Sequence, residues 1–218
     1  MRLNNYFIKF TNNLAYLDLK ESADYELLND LPLPIYVSDM QSGILTGQMA
    51  DKIDVENFLQ GMLINIGADP EFIHNEEYKS IIAHYIPDVG KYTASTSLNI
   101  ADEDIDKALL LLRAGYLLNP LDNYNAYLYA RFLWPKAYEV EDKFKEDFIR
   151  ESLEILQSIL NKDNNFAIAY YELGNIYANL GEYIKARNYY NNALQKTDTD
   201  EACNEIRDRL SEINDNAE

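Results

Sequence analysis

The chain has 218 residues, 47% of them apolar, with 37 acidic against 19 basic side chains and a net charge of −18. That length holds one large domain or two small ones, and the apolar fraction speaks against wholesale disorder. The excess of carboxylates repels phosphate backbones and anionic headgroups, so nucleic acid and membrane surfaces are not expected partners. The apolar run 108–118 is broken by Arg113 and falls far short of the roughly 20 residues of a membrane span. Cys203 is the single cysteine, which excludes a disulfide framework and a multi-cysteine zinc site. Asn4, Asn5 and Lys9 interrupt any signal-like apolar stretch at the start, so a cytoplasmic location is expected. The 8 glycines and 6 prolines are too few for a fold that turns every ten residues, while 18 tyrosines and 23 asparagines are unusually many.

In chain order, LNNYFIKFTNNLAYL (3–17) suits a helix or, through its aromatics, a short strand. Leu31–Ile35, LPLPI, reads as an extended linker because two of its residues lack a backbone donor. Asp54 can cap a helix through Phe58, Leu59, Met62, Leu63 and Ile66 that Gly67 stops. Asp69-Pro70 reads as a second cap and first-turn pair, opening a helix through Tyr78, Ile81, Ile82 and Tyr85 that ends before Pro87. The first 87 residues are thus expected to form a small helical region of no assigned family.

The later chain is plainer. Tyr170, Leu173, Tyr177 and Leu180 recur at steps of three and four, which makes one helical stripe. Gly181 suits the left-handed residue that ends it, and Tyr183, Ala186, Tyr189, Tyr190, Ala193 and Leu194 make a second stripe. Together they predict an antiparallel helical hairpin over 167–200.

Counted from Ala167, the residues at positions 4, 7, 8, 11, 20, 24 and 27 are Tyr170, Leu173, Gly174, Tyr177, Ala186, Tyr190 and Ala193. This spacing resembles the tetratricopeptide repeat (TPR), whose pattern departs here only at position 32, where Asp198 replaces proline. Counted from Asn123, the same rule yields Ala126, Tyr129, Ala130 and Leu133, then Ser152, Leu156 and Ile159 after about ten extra residues. The extra residues fall in 135–147, PKAYEVEDKFKED, read as a charged loop that begins where Pro135 ends the helix. Before them, Ala108, Leu112, Gly115 and Pro120 fit the second helix of a degenerate repeat whose first helix, 88–99, matches poorly.

The expected fold is therefore all-α: a helical region over 1–87, and repeats over 88–200. The repeats divide into 88–121 (degenerate), 123–166 (with an insertion) and 167–200 (well formed). The tail 201–218 carries Ile206, Leu210 and Ile213 on one face, as a capping helix requires.

No catalytic set emerges. His74 and His84, the only histidines, lie too far apart for a zinc-binding helix; His74 with Glu76 and Glu77 has the donors to bind a metal in principle, but the expected role of these three is as surface residues at a helix start. Gly43, Gly47, Gly61 and Gly67 make neither a P-loop nor a dinucleotide fingerprint. Ser42, Ser95, Thr96 and Ser97 stand in no nucleophile context. Asp102–Asp106 lacks the closing glutamate of a calcium loop and suits the start of the helix that follows. No cofactor, metal or enzymatic activity is expected.

What the resemblance implies is recognition. In such repeats the first helix of each hairpin lines a concave groove, through positions 2, 5, 9, 12 and 13. Here these are Tyr124, Tyr127, Arg131, Trp134 and Pro135, then Ile168, Tyr171, Asn175, Ala178 and Asn179. The expected partner-binding set is Tyr124, Tyr127, Arg131, Trp134, Tyr171, Asn175 and Asn179, since aromatic rings bring contact area and amides bond a peptide backbone. Tyr124, Tyr127 and Trp134 have a second place open to them, packed against the N-terminal region or the insertion. The two-carboxylate clamp by which some members of that family hold acidic tails uses Lys at position 5, where Tyr127 and Tyr171 stand, and Asn or Arg at position 6, where Leu128 and Glu172 stand, so that role is not expected. An apolar or basic protein segment is the better partner. Homodimerisation through the groove or the tyrosine-rich helix 183–194 is the second reading, and a ligand-binding or enzymatic role within 1–87 a remote third.

Overall fold

A computed structural model of the chain describes residues 2–18, 27–28, 30–38 and 54–215. Ser42, Gly43 and Gly47 lie outside the described residues, as do 216–218 at the tail. The architecture is all-α with one small exception. The helices are α1 (Asn4–Phe7), α2 (Val55–Ala68), α3 (Asn75–Tyr85), α4 (Val89–Ile100), α5 (Ile105–Leu118), α6 (Asn123–Lys136), α7 (Asp142–Lys162), α8 (Ala167–Asn179), α9 (Tyr183–Lys196) and α10 (Asp200–Asp215). The chain divides into two compact units, Met1–Asn125 and Ala126–Glu218.

In the first unit, α1 runs into a 3₁₀ turn (Ile8–Asn13) and then strand β1 (Leu14–Leu17). Strand β2 (Leu33–Tyr36) pairs with it antiparallel, Leu14 opposite Tyr36 and Leu17 opposite Leu33. The LPLPI stretch is extended as expected, but it is a strand rather than a linker, and the N-terminal region is not wholly helical. A two-stranded ribbon tolerates the proline because Pro34 has an open edge to face. It also needs a partner for its apolar side, and Leu33, Ile35 and Tyr36 are all buried.

Two expected helix ends in this unit are corrected. Asp54 does cap α2, its carboxylate accepting from Asn57 N at 3.2 Å while the Asn57 side chain accepts from Asp54 N at 3.0 Å. Gly67, however, lies inside α2, which ends one residue later. Its missing Cβ admits the Leu110 carbonyl of α5, so this glycine serves a close approach and not a stop. Asp69-Pro70 does not open α3 either. The Asp69 side chain accepts from Glu71 N at 3.1 Å and its carbonyl accepts from Asn75 Nδ2 at 2.8 Å, holding a turn that delays the helix to Asn75. Phe72, inside that turn, stacks on Tyr16 and Tyr78.

Arg113, which interrupts the apolar run of α5, is fully buried. Its guanidinium donates to the Gly67 carbonyl and the Asn4 side chain, and lies 4.6 Å from the centre of the Phe7 ring. The charge thus ties α1 and α2 to α5. Asp104 caps α5 by accepting from Lys107 N at 2.9 Å, and Asp106 lies in the first turn where the helix dipole favours a carboxylate.

In the second unit, α8 and α9 form the expected hairpin around Gly181, whose φ of 75° is the left-handed conformation that ends α8. Leu173, Ala186, Tyr190 and Ala193 are buried between the two helices, and the Gly174 backbone lies against the Tyr190 ring. The expected loop over 135–147 is corrected. Only 137–141 is non-helical, and α7 extends to 21 residues by absorbing the rest. Phe144 and Phe148 continue the stripe of Ser152, Ile155 and Ile159, so the charges that suggested a loop are the solvent face of an amphipathic helix. Pro135 sits in the last turn of α6 rather than beyond it. On α10, Ile206 and Ile213 are buried on the face expected of a capping helix.

Candidate functional site

The second unit carries a groove of about 810 Å³ bounded by α6, α8, α10 and the turn that joins α9 to α10. Five of the seven expected residues line it: Tyr127, Arg131 and Trp134 from α6, and Tyr171 and Asn175 from α8. Asn179 borders a smaller hollow of about 370 Å³, which shares Trp134, Asn175 and Arg209 with the groove. Tyr124 is exposed, belongs to the first unit and lines neither.

The helical period explains the collection. Residues 127, 131 and 134 lie on one face of α6, and 168, 171, 172 and 175 on one face of α8, so both helices present a strip to the same space. Tyr127 is almost fully buried, its ring edge-on to Phe166 at 6.2 Å and its hydroxyl accepting from Arg131 Nη1 at 3.5 Å. Trp134 is half-buried, with its ring edge-on to Tyr138 at 6.4 Å, so it both packs against the segment after α6 and faces the groove.

The floor is polar. Trp134 Nε1 donates to Glu172 Oε1 at 2.5 Å, and Asn175 Nδ2 donates to Glu172 Oε2 at 3.5 Å. Asn175 also accepts from the Tyr190 hydroxyl at 2.8 Å through Oδ1, which locks the amide in one orientation. Glu172 is only 5% exposed, and burial pushes its carboxyl above the usual range, against the pull of the Trp134 bond and the Arg131 charge. Across the groove, the Tyr171 hydroxyl donates to Glu205 Oε1 at 2.5 Å and accepts from Arg209, whose Nη1 also reaches Glu212 Oε2 at 3.0 Å.

Sequence reasoning missed Glu172 and the whole contribution of α10, namely Glu205, Ile206 and Arg209. Glu172 stood out only as a residue unsuited to a carboxylate clamp. Glu205 and Arg209, four apart, were visible as the polar face of a capping helix, and only its docking shows that this face borders the groove.

Other residues weighed in the sequence have local contacts. Ser97 is buried and donates to the Ala108 carbonyl at 3.0 Å, Cys203 faces the Thr197 carbonyl at 3.7 Å, and the His74 ring lies edge-on to Phe72 at 5.7 Å. Among the described residues no three metal-ligating side chains come together. No described helix is long and apolar enough to cross a membrane.

Hairpins of antiparallel helices around small residues, with a groove walled by the first helix of each, define a helical-repeat protein. Residues 167–200 match the family model of the tetratricopeptide repeat, so that segment is one such repeat. No curated protein and no solved structure matches the chain. Repeats of this family are in general protein-interaction modules and typically non-catalytic.

Proposed function

We propose that the protein is a non-catalytic interaction module whose groove, walled by α6, α8 and α10, receives a peptide or helical segment of a partner protein. The observation that carries this reading is the convergence of Tyr127, Trp134 and Tyr171 with Arg131 and Asn175 on one concavity. Trp134 and Tyr171, both half-buried, offer apolar area at little entropic cost, and the guanidinium and amide beside them suit the donors and acceptors of a peptide chain.

The experiment changes the wall without touching the core. Arg131 and Ile168 line the groove and are both exposed, so Arg131→Glu combined with Ile168→Asp leaves the fold intact. Protein that co-purifies with the wild-type chain is expected to be lost with the double variant, at unchanged circular dichroism. Undiminished recovery moves the binding site off this groove.

A further inference from the structure

We infer that the groove selects its partner by a cationic side chain, a lysine ammonium or an arginine guanidinium, placed against the Glu172 carboxylate. The inference rests on the groove reading above and adds what the groove recognises. Glu172 lines the groove yet is only 5% exposed, so its charge is held in a setting where it acts strongly on anything that enters. Both of its hydrogen bonds come from neutral groups, the Trp134 indole and the Asn175 amide. A carboxylate has about four acceptor sites, which leaves about two for a ligand. An acid buried without a bonded cation is costly: its two oxygens meet two neutral donors here, and the negative charge has no bonded counter-charge. A cation supplied from outside offsets that cost.

The cations already beside the groove are engaged elsewhere. Arg131 acts on Glu172 from a distance, but its guanidinium donates to the Tyr127 hydroxyl. Arg209 holds Tyr171 and Glu212, while Lys196 Nζ lies 3.4 Å from Asn165 Oδ1 and above the Tyr170 ring. Glu205 and Asp198 add negative charge to the rim. Trp134, Tyr127 and Tyr171 offer ring faces and edges for the aliphatic stem and charged head of a long basic side chain. The net charge of −18 draws such a segment in, and a partner carboxylate at the same place would meet Glu172 as a like charge.

The test is selection of random dodecapeptides displayed on phage against the full chain, with Glu172→Gln and Ile168→Asp in parallel. Wild-type selections are expected to share a lysine or arginine whose replacement by alanine weakens binding at least about tenfold, and Glu172→Gln should erase most of that penalty. Groove binders, recognised by their loss with Ile168→Asp, that lack a shared basic residue or carry an acidic one overturn the inference and leave the groove reading standing. A basic residue whose effect survives Glu172→Gln does the same. Selections that ignore Ile168→Asp, or no enrichment at all, overturn both.

Discussion

The hairpins α4–α5 and α8–α9 bring two helices together in the same way with different chemistry. In α8–α9 the close approach is at Gly174, filled by the ring of Tyr190, with Ala186 and Ala193 as the other small residues. In α4–α5 the small residue is Gly115, on the second helix, and the space beside it is filled by Thr93 and Asn125. Thr93 Oγ1 donates to Asn125 Oδ1 at 2.9 Å, Asn125 Nδ2 donates to the Leu112 carbonyl at 3.0 Å, and Ser97 donates to the Ala108 carbonyl. One hairpin is closed by an aromatic ring and the other by a hydrogen-bonded polar lock. Close packing fixes the gap to be filled, and more than one set of side chains fills it. The family pattern, which asks for bulk around glycine and alanine, matches the first solution and passes over the second.

The largest expected effect breaks the aromatic solution. A Cβ at Gly174 would lie 2.5 Å from the Tyr190 ring, so Gly174→Val should cost about 3 kcal/mol in urea unfolding by forcing the ring aside. The polar solution is broken by Asn125→Leu, which removes the side-chain donor to the Leu112 carbonyl and leaves Thr93 only the carbonyls of its own helix, at a cost of about 2 kcal/mol. A neutral result there would show that the Asn125 bonds contribute nothing to holding α4–α5.

The turns sharpen the same contrast. Gly181→Ala meets the left-handed φ and should lose about 1 kcal/mol. Asp104→Ala removes the cap that does the corresponding work before α5, for about 1 kcal/mol. Thermal melts of the two variants should therefore shift alike.

The smallest effect is a gain. Burial raises the native Glu172 pKa above its unfolded value, so between those two values the folded state binds more protons and stability falls as pH rises. Glu172→Gln should melt slightly higher than wild type at pH 7 and at the same temperature at pH 3.5. A difference between variant and wild type that is the same at pH 3.5 and pH 7 would mean that the carboxylate is already compensated within the chain.

Most of the second unit was legible because its signals are local and periodic. The stripes of α8 and α9, Gly181 between them and the apolar face of α10 all repeat within one or two helical turns. The segment 142–147 was misread because a charged run looks the same in a loop and on the wet face of a helix. Phe144 and Phe148, which distinguish the two, carry meaning only as part of the longer stripe. Gly67 is a local signal overruled by a distant group, the Leu110 carbonyl, whereas Asp69-Pro70 is overruled within its own turn by the bonds to Glu71 N and the Asn75 side chain. In the groove, Tyr127, Arg131, Trp134, Tyr171 and Asn175 follow from repeat positions, whereas Tyr124 shares the pattern but lines no wall.

The amino-acid sequence by itself determined the helices, the hairpin at 167–200 and the side chains that two first helices would offer to a common space, since each depends on periodicity and turn chemistry along the chain. Tertiary structure alone decided that Glu172 would be buried and bonded by Trp134, that α10 would close the groove with Glu205 and Arg209, and that LPLPI would become a strand. Those outcomes depend on which distant surface covers each group, because burial and pairing are set by neighbours that sequence spacing does not specify.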